Sequence, residues 1–213
     1  MRCDSERPLY DISPLLSERI AVWPGDSPLT REVLLDVEQG DNITLSTLRA
    51  TVHLGAHVDA PNHYARDSIG IDRRDPGRYL GRCLLHDVDV KHGERIDAAQ
   101  LPATIDASRL LLRTGTFPDP ENFNEDFAAL SVELVDALHE RGVQLVGIDT
   151  PSVDLFASKS LPAHQACAKH DMAILEGIVL RDIPAGYYEL IAVPLKLEGF
   201  DASPVRALLR GEA

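Results

Sequence analysis

Four residues of one short segment have the types and spacing of metal ligands or acid–base groups. They are His53, His57, Asp59 and His63, which include three of the chain's eight histidines. Each is separated from the next by an even number of positions, so all four side chains lie on one side of an extended backbone. Imidazole nitrogens and carboxylate oxygens suit zinc, manganese or iron, and a set without a nearby thiolate is typical of a catalytic metal site. The segment therefore predicts a catalytic metal centre.

A straight strand would not bring these side chains to a common ion. At ~3.3 Å per residue, His53 and His57 would lie roughly 13 Å apart, whereas a zinc–nitrogen distance is ~2.1 Å. We therefore expect a bend at Gly55, which can adopt a positive φ, and a turn at Pro61 before His63. A helical arrangement is disfavoured by the same glycine and proline. The alternative is that each histidine is an ordinary hydrogen-bonded residue of a turn.

Two further candidate ligands lie downstream. Glu176 is the only charged residue in the apolar run Ala173–Leu180. A lone buried carboxylate is unfavourable unless it is paired or binds a metal ion. The alternative for Glu176 is an outward-facing position on an edge strand. His164 follows Pro162 and Ala163 in a segment where a helix is expected.

The elements that must position these residues are mostly strands. Apolar, β-branched runs bounded by turn residues predict six of them. The predicted strands are Thr44–Val52, Arg82–Val90, Arg109–Leu112, Val143–Ile148, Ala173–Val179 and Tyr188–Pro194.

Helices are fewer. The clearest one runs from Ser131 to Arg141, because Ser131 can cap its start and Gly142 can end it in the left-handed conformation. Further helices are predicted at Ala163–Lys169 and Pro204–Arg210. Strands that outnumber a few packed helices indicate a mixed α/β domain.

Composition and charge exclude several classes of partner. The 34 acidic and 21 basic residues give a net charge of −13, which repels nucleic-acid phosphates and anionic lipid headgroups. The scattered cysteines Cys3, Cys83 and Cys167 indicate neither disulfides nor a thiolate zinc site. A polar N-terminus, and no apolar stretch near the roughly 18 residues of a membrane span, lead us to expect a cytoplasmic protein. No repeat or linker divides residues 1–213, so we expect a single domain.

These motifs resemble those of a known family. The segment from His53 to His63 is similar to the H-x-G-T-H-x-D-x-P-x-H signature of the metal-dependent cyclase-type hydrolases, with Ala56 in place of the threonine. Trp23–Asp26 resembles the W-P-G-D turn of that family. Stretches in the second half of the chain resemble the bacterial kynurenine formamidases in particular. These stretches are Gly147–Ser152, Ser158–Lys159, His164, Ile174–Gly177 and Asp201–Arg206.

The resemblance covers essentially the whole chain and implies a fold, an assembly and a metal centre. The implied fold is a swivelling β/β/α fold with strand-rich mixed sheets, in a homodimer or larger homo-oligomer. The implied centre holds two zinc ions, with His53 and His57 on the first ion and His164 on the second. Asp59 and Glu176 would contact both ions.

The resemblance also implies a catalytic role for His63 and an aromatic substrate contact for Trp23. The implied reaction is hydrolysis of a small molecule, N-formyl-L-kynurenine, to L-kynurenine and formate in tryptophan degradation. A cyclic amide hydrolase acting on isatin or hydantoins is the nearest alternative, and a non-catalytic metal-binding protein is another. The chain contains no G-x-S-x-G motif, which disfavours a serine hydrolase.

Other polar residues have weaker signals. Asp149 follows a predicted strand in an Asp-Thr-Pro sequence, so it is either a turn residue or one that supports the site. The remaining histidines are expected to be structural or solvent-facing. They are His86, His92, His139 and His170.

Overall fold

The computed structural model of the protein describes residues 7–212. The first six residues, which include Cys3 and most of the polar N-terminus, lie outside the described residues, as does Ala213. The described residues form thirteen strands and two α-helices, α1 (Val132–Glu140) and α2 (Pro162–Lys169). Neither helix is long and apolar enough to cross a membrane.

Nine strands form one curled mixed sheet around which the rest of the chain is arranged. The thirteen strands of the described residues are β1 (Leu9–Asp11), β2 (Thr30–Leu35), β3 (Leu45–Arg49), β4 (His57–Asp59), β5 (Leu80–Asp87), β6 (Arg95–Ile96), β7 (Arg109–Arg113), β8 (Ala129–Leu130), β9 (Leu145–Ile148), β10 (Ala173–Glu176), β11 (Gly186–Ile191), β12 (Ala202–Pro204) and β13 (Leu208–Gly211). Strands β2 and β3 pair with each other, as do β6 and β8, outside the large sheet. The order in the large sheet is β1-β13-β11-β5-β7-β9-β10-β4-β12. Strands β5, β7, β9 and β10 are mutually parallel, and the outer pairings are antiparallel. The predicted mixed, strand-rich fold is confirmed.

The central parallel strands are buried on both faces, which explains why their sequences are continuous apolar runs. Leu110 and Ile174 pack in the core that contains both helices. Leu111 and Leu175 belong to the core on the opposite side of the sheet. The end of β10 therefore lies deep in the molecule, where a charged side chain is unusual.

The two clearest helix predictions are confirmed. Ser131 caps α1, since its hydroxyl accepts the N–H of Leu134 at 3.1 Å, and Gly142 follows the helix with φ of 78°. Helix α2 begins at Pro162, one residue before its predicted start. All six predicted strands are present, with their ends shifted by a few residues.

The third predicted helix, Pro204–Arg210, is wrong. Residues 202–204 form β12, and residues 208–211 form β13 between β1 and β11. Leu209 is fully buried there and pairs with Tyr10 on one side and Leu190 on the other. Pro204 is tolerated because β12 is the edge strand of the sheet. Pairing with distant strands has overridden the local helical signal.

The hairpin formed by β2 and β3 lies outside the large sheet. Apart from the half-buried Leu35, all of its strand residues are exposed. The exposed fractions of its large apolar residues are high: Val33 46%, Leu34 51%, Leu45 45% and Leu48 66%. Such a patch is uncommon on the surface of a monomer.

Candidate metal centre and substrate cavity

Strand β4 carries two of the predicted ligands into the middle of the site. It lies between β10 and β12, with His57 opposite Glu176 and Asp59 opposite Ala202. Side chains two residues apart on a strand share a face, and directly opposed side chains do so too. His57, Asp59 and Glu176 therefore converge, and each is at most 3% exposed.

Two glycines allow the ligand-bearing segments to approach each other. Gly55 has φ of 56° and Gly177 has φ of 66°. A Cβ added at Gly177 would lie 2.2 Å from the carbonyl oxygen of Gly55, so a larger residue would push the two segments apart. The bend at Gly55 brings the rings of His53 and His57 to a centroid distance of 5.0 Å, and the predicted turn is present as a 3-10 helix at Pro61–His63.

The carboxylate of Asp59 lies between histidines on two sides. Its Oδ1 is 3.2 Å from Nδ1 of His53 and 3.6 Å from Nε2 of His57. Its Oδ2 is 3.5 Å from Nε2 of His164. Burial alone would raise the pKa of Asp59, but the neighbouring His164 and His53 outweigh it and hold that pKa well below its ordinary value. Asp59 is therefore ionised.

Glu176 repeats this arrangement. Its Oε2 is 3.2 Å from Nε2 of His57, and its Oε1 is 3.7 Å from Nε2 of His164. Oε1 also accepts the backbone N–H of Val153 at 2.7 Å. The cluster thus has two poles, one at His53 and His57 and the other at His164, and each carboxylate directs one oxygen to each pole.

Several nitrogen and oxygen atoms of the cluster are suited to bind a metal cation. Nε2 of His57 and both oxygens of Asp59 are buried and have no hydrogen-bond partner within residues 7–212. Nδ1 of His57 lies 2.9 Å from the carbonyl oxygen of Gly55, so a proton there leaves the Nε2 lone pair directed into the cluster. Buried acceptors that make no hydrogen bond are unfavourable unless a cation lies beside them. Imidazole nitrogens with carboxylate oxygens are a suitable set for zinc.

Two carboxylates that were not predicted from the sequence as site residues hold the histidines in place. Oδ2 of the fully buried Asp154 lies 2.9 Å from Nδ1 of His164. Oδ2 of Asp201 is 3.1 Å from Nε2 of His53 and 3.4 Å from Nδ1 of His63. Carboxylates in this position commonly orient metal-binding histidines.

The electrostatic potential of the cluster favours positive charge. Burial alone would lower the pKa of His164, but Asp154 and Asp59 raise it to about 10. Burial would likewise lower the pKa of His53, which Asp59 and Asp201 raise to about 9. A site that retains protons so strongly also attracts a metal ion, which must displace them to bind.

His63 adjoins both poles. Its ring centroid is 4.2 Å from that of His53 and 6.0 Å from that of His164. Ligand atoms of His63, Asp59 and His164 lie within 4.8 Å of one another, so the position suits either a ligand or an adjacent acid–base group. Burial lowers the pKa of His63 below its ordinary value. A neutral His63 can accept a proton at pH 7.

A cavity of about 960 Å³ opens beside the cluster. Trp23 lines it, as do Phe117 and Phe123. The ring of Trp23 packs at centroid distances of 5.6 Å from Phe123, 6.1 Å from Phe127 and 5.0 Å from Phe156. Four of the chain's five phenylalanines thus lie in an aromatic cluster with its only tryptophan, although Trp23 alone was predicted from the sequence.

Asp149 also lines the cavity, but its carboxylate is occupied. It accepts the N–H and the hydroxyl of Thr114 at 2.9 and 2.7 Å and the N–H of Gly115 at 2.8 Å. Asp149 therefore shapes the cavity wall. Among the residues that line this cavity there is none of the four remaining histidines, His86, His92, His139 and His170.

A family comparison matches the first part of this arrangement. The model of the Cyclase family, described as "Putative cyclase", matches residues 10–155. The matched region includes Trp23 and the segment from His53 to His63, and it ends before His164 and Glu176.

Solved structures are similar along nearly the whole chain. A potential metal-dependent hydrolase with cyclase activity is 25% identical with a TM-score of 0.82, over 97% of this chain and 99% of that one. A predicted metal-dependent hydrolase from Bacillus stearothermophilus is 26% identical with a TM-score of 0.81, over 97% and 99%. An isatin hydrolase bound to the product analogue thioisatinate is similar in fold, with a TM-score of 0.84 at 19% identity over 98% and 94%.

Proposed function

Because this chain belongs to the Cyclase family and has the fold of metal-dependent hydrolases, we propose that it hydrolyses N-formyl-L-kynurenine to L-kynurenine and formate with two zinc ions. The observation that carries the proposal is the division of the Asp59 and Glu176 oxygens between the two histidine poles. His53 and His57 would hold one ion and His164 the other. Asp59 and Glu176 would supply oxygens to both positions, and two ions held in this way would supply the chemistry of a two-metal hydrolytic site.

The chemistry divides between the ions and His63. Zinc ions bound at the two poles would lower the pKa of a water molecule to about 7 and polarise the formyl carbonyl oxygen. Nδ1 of His63 faces Asp201 at 3.4 Å, which leaves Nε2 to take the proton from the attacking water. The same Nε2 then donates that proton to the departing aryl amine nitrogen. The lowered pKa of His63 suits the first of these steps.

The aromatic wall supports an aryl substrate. Trp23, packed against Phe123 and Phe156, presents a rigid apolar surface to an aminophenyl ring. In a formanilide this ring is attached directly to the scissile amide nitrogen, so binding the ring also positions the bond. A cyclic aryl amide such as isatin shares the ring. It is the second candidate substrate, favoured by the fold similarity to an isatin hydrolase.

The β2–β3 hairpin supports a homodimer as the functional assembly. A two-stranded hairpin is only marginally stable alone, and its apolar surface favours a partner. Its turn is acidic at Asp36, Glu38 and Asp41, whereas Arg31 and Arg49 lie at the opposite end of the strands. Two hairpins packed antiparallel about a two-fold axis would bring each acidic turn beside the other copy's arginines and cover both apolar faces.

Turnover of three substrates by zinc-loaded protein tests the proposed reaction. We expect the highest kcat/KM for N-formyl-L-kynurenine, lower values for isatin and hydantoin, and loss of turnover with a strong chelator that added zinc reverses. A higher kcat/KM for isatin would replace the proposed reaction by the second candidate. No turnover of any of the three would contradict both.

A further inference from the structure

The charged side chains that line the cavity outside the metal cluster are mostly paired. They are Asp26, Asp87, Asp149, Arg113 and Arg181. Asp87 is paired with Arg113, and Asp149 accepts the backbone and hydroxyl groups described above. Asp26 accepts the N–H of the next residue at 2.6 Å. Among the described residues that line the cavity, Arg181 is therefore the cation without a carboxylate partner.

Arg113 fixes the turn that carries Arg181. Its Nη1 donates to the carbonyl oxygen of Leu180 at 2.8 Å and to that of Ile183, which lie on either side of Arg181. Its Nε donates to Asp87 at 2.6 Å, and its Nη2 is paired with the same carboxylate. Arg113 therefore positions the turn, and its charge is paired with that of Asp87.

Arg181 itself has unused donors. Its side chain is exposed, and Nη2 donates to the carbonyl oxygen of Pro118 on the facing loop. Nε and Nη1 make no hydrogen bond within the described part of the chain. Hydrogen bonds from the Glu121 N–H and the Asn122 side chain lower the pKa of Asp119, and the charge of Arg181 lowers it to a smaller extent, but the two side chains form no ion pair within the described residues. A planar guanidinium held at one corner is thus open to a planar anion.

The position of Arg181 relates it to the metal cluster. Residues 177–181 all line the cavity and lead directly from Glu176 to Arg181. Five residues span at most about 18 Å when fully extended. Arg181 and the cluster therefore lie on one wall of the same cavity, so a small molecule with its reacting amide at the cluster can direct a charged group toward Arg181.

We propose that Arg181 is a specificity-determining residue that binds a carboxylate on the substrate, at the end remote from the scissile amide. This inference rests on the proposed function and names its substrate class as aryl formamides whose side chain carries a carboxylate, in preference to formanilides without one. The chain's net charge of −13 repels anions in general, so a local cation at the cavity is needed to retain one. An arginine provides it in a geometry that fits a carboxylate with two parallel hydrogen bonds.

Binding of two matched probes tests the inference. The probes are 4-(2-aminophenyl)-4-oxobutanoate and its primary amide, which have nearly the same shape and differ in charge. Trp23, the only tryptophan, lines the same cavity, so quenching of its fluorescence measures binding without turnover. We expect the wild type to bind the acid roughly 10-fold more tightly than the amide, and Arg181→Gln to bring the ratio of the two dissociation constants to about 1.

Arg141→Gln is the matched control. Arg141 is also exposed and also donates to a proline carbonyl, that of Pro102, but it does not line the cavity. It should keep the wild-type ratio. Arg181→Lys should keep part of the preference, because it retains the charge without the planar pair of donors.

The outcomes separate this inference from the proposed reaction. Equal binding of acid and amide by the wild type, or an unchanged ratio in a folded Arg181→Gln variant, would overturn the role of Arg181. If formanilides are hydrolysed in that case, the proposed reaction still stands. If zinc-loaded wild type hydrolyses no formanilide while an Arg181-dependent preference for the acid persists, the reaction is wrong and the carboxylate site is supported.

Discussion

The metal cluster buries charged side chains, whereas the β2–β3 hairpin exposes apolar ones. Each is the reverse of the usual arrangement, in which apolar side chains are buried and charged ones are exposed. In the cluster, Asp59 and Glu176 are 1% and 3% exposed, whereas in the hairpin Leu34 and Leu48 are 51% and 66% exposed. Buried charge is unfavourable unless it is paired, and exposed apolar patches usually mark contact surfaces. Each region therefore indicates a binding partner, a cation for the cluster and, as we propose, a second copy of the chain for the hairpin.

The two regions also differ in what holds them in place. The cluster is fixed by the pairing of β4 with two neighbouring strands and by the close contact of Gly55 with Gly177. The hairpin has a ladder of only two strands. Substitutions in the cluster should therefore change metal binding and chemistry but not assembly. Substitutions in the hairpin should have the reverse effect.

Removal of Asp59 should have the largest effect, because its carboxylate faces both poles. In Asp59→Ala, neither ion should bind tightly and formamidase activity should fall to background. The fold should persist, since a domain of this length has enough apolar core to stand alone. Elemental analysis, circular dichroism and gel filtration measure the three properties. Asp89→Ala, at an exposed position, is the control. Retention of two ions by Asp59→Ala would contradict the role of Asp59 at both poles.

His63→Ala should separate chemistry from metal binding within the cluster. We expect the variant to keep its zinc while kcat for N-formyl-L-kynurenine falls by roughly 10²–10⁴-fold, because the aryl amine would depart without a positioned acid. The loss should be smaller for 4-nitrophenyl formate, whose leaving group needs little protonation. Loss of zinc would instead make His63 a ligand. An equal loss on both substrates would contradict its role as the acid, and His92→Ala, at an exposed histidine, should change neither rate.

Asp154→Asn should have a smaller effect that is confined to one pole. Asp154 orients His164, and loss of such a partner commonly lowers metal affinity by 10–100-fold. We expect weaker binding of one of the two ions, measured by competition with a chromophoric chelator. Asp149→Asn is the matched control, because that buried carboxylate contacts the turn at Thr114 and not a histidine. Equal zinc affinities in Asp154→Asn and Asp149→Asn would contradict the role of Asp154 in orienting His164.

Leu48→Glu should leave kcat unchanged and alter assembly. A charge at this exposed hairpin position would be buried in the proposed dimer, so light scattering should detect a shift toward monomer. Leu195→Glu, at an apolar residue that is 58% exposed outside the hairpin, should stay dimeric. A wild-type monomer, or a Leu48→Glu variant that remains dimeric, would contradict the proposed interface.

The parts of the site that are local in sequence could be predicted from it. The segment from His53 to His63 holds four candidate side chains at intervals that can be read from the sequence. Gly55 and Pro61 predicted the bend and the turn that the structure has. Glu176 stood out because a single charge in an apolar run requires a partner. In each case the physical signal lies within about ten residues, where backbone geometry decides which side chains can meet.

The missed parts depend on pairing between distant segments. Asp201 lies 148 residues after His53, and only the pairing of β12 with β4 brings the two together. The short run at Pro204–Arg210 is compatible with either helix or strand, and the burial of Leu209 between two distant strands decides the outcome. The phenylalanines around Trp23 are scattered along the chain from Phe117 to Phe156, so no local pattern joins them.

We propose that two zinc ions, one at each pole, form the catalytic centre of a formamidase. The most direct test is a zinc titration of metal-free protein, with the hydrolysis of N-formyl-L-kynurenine followed at each addition. We expect no activity without metal and a rise that ends at two zinc equivalents per chain. Activity in the metal-free protein, or full activity at one equivalent, would contradict the proposal.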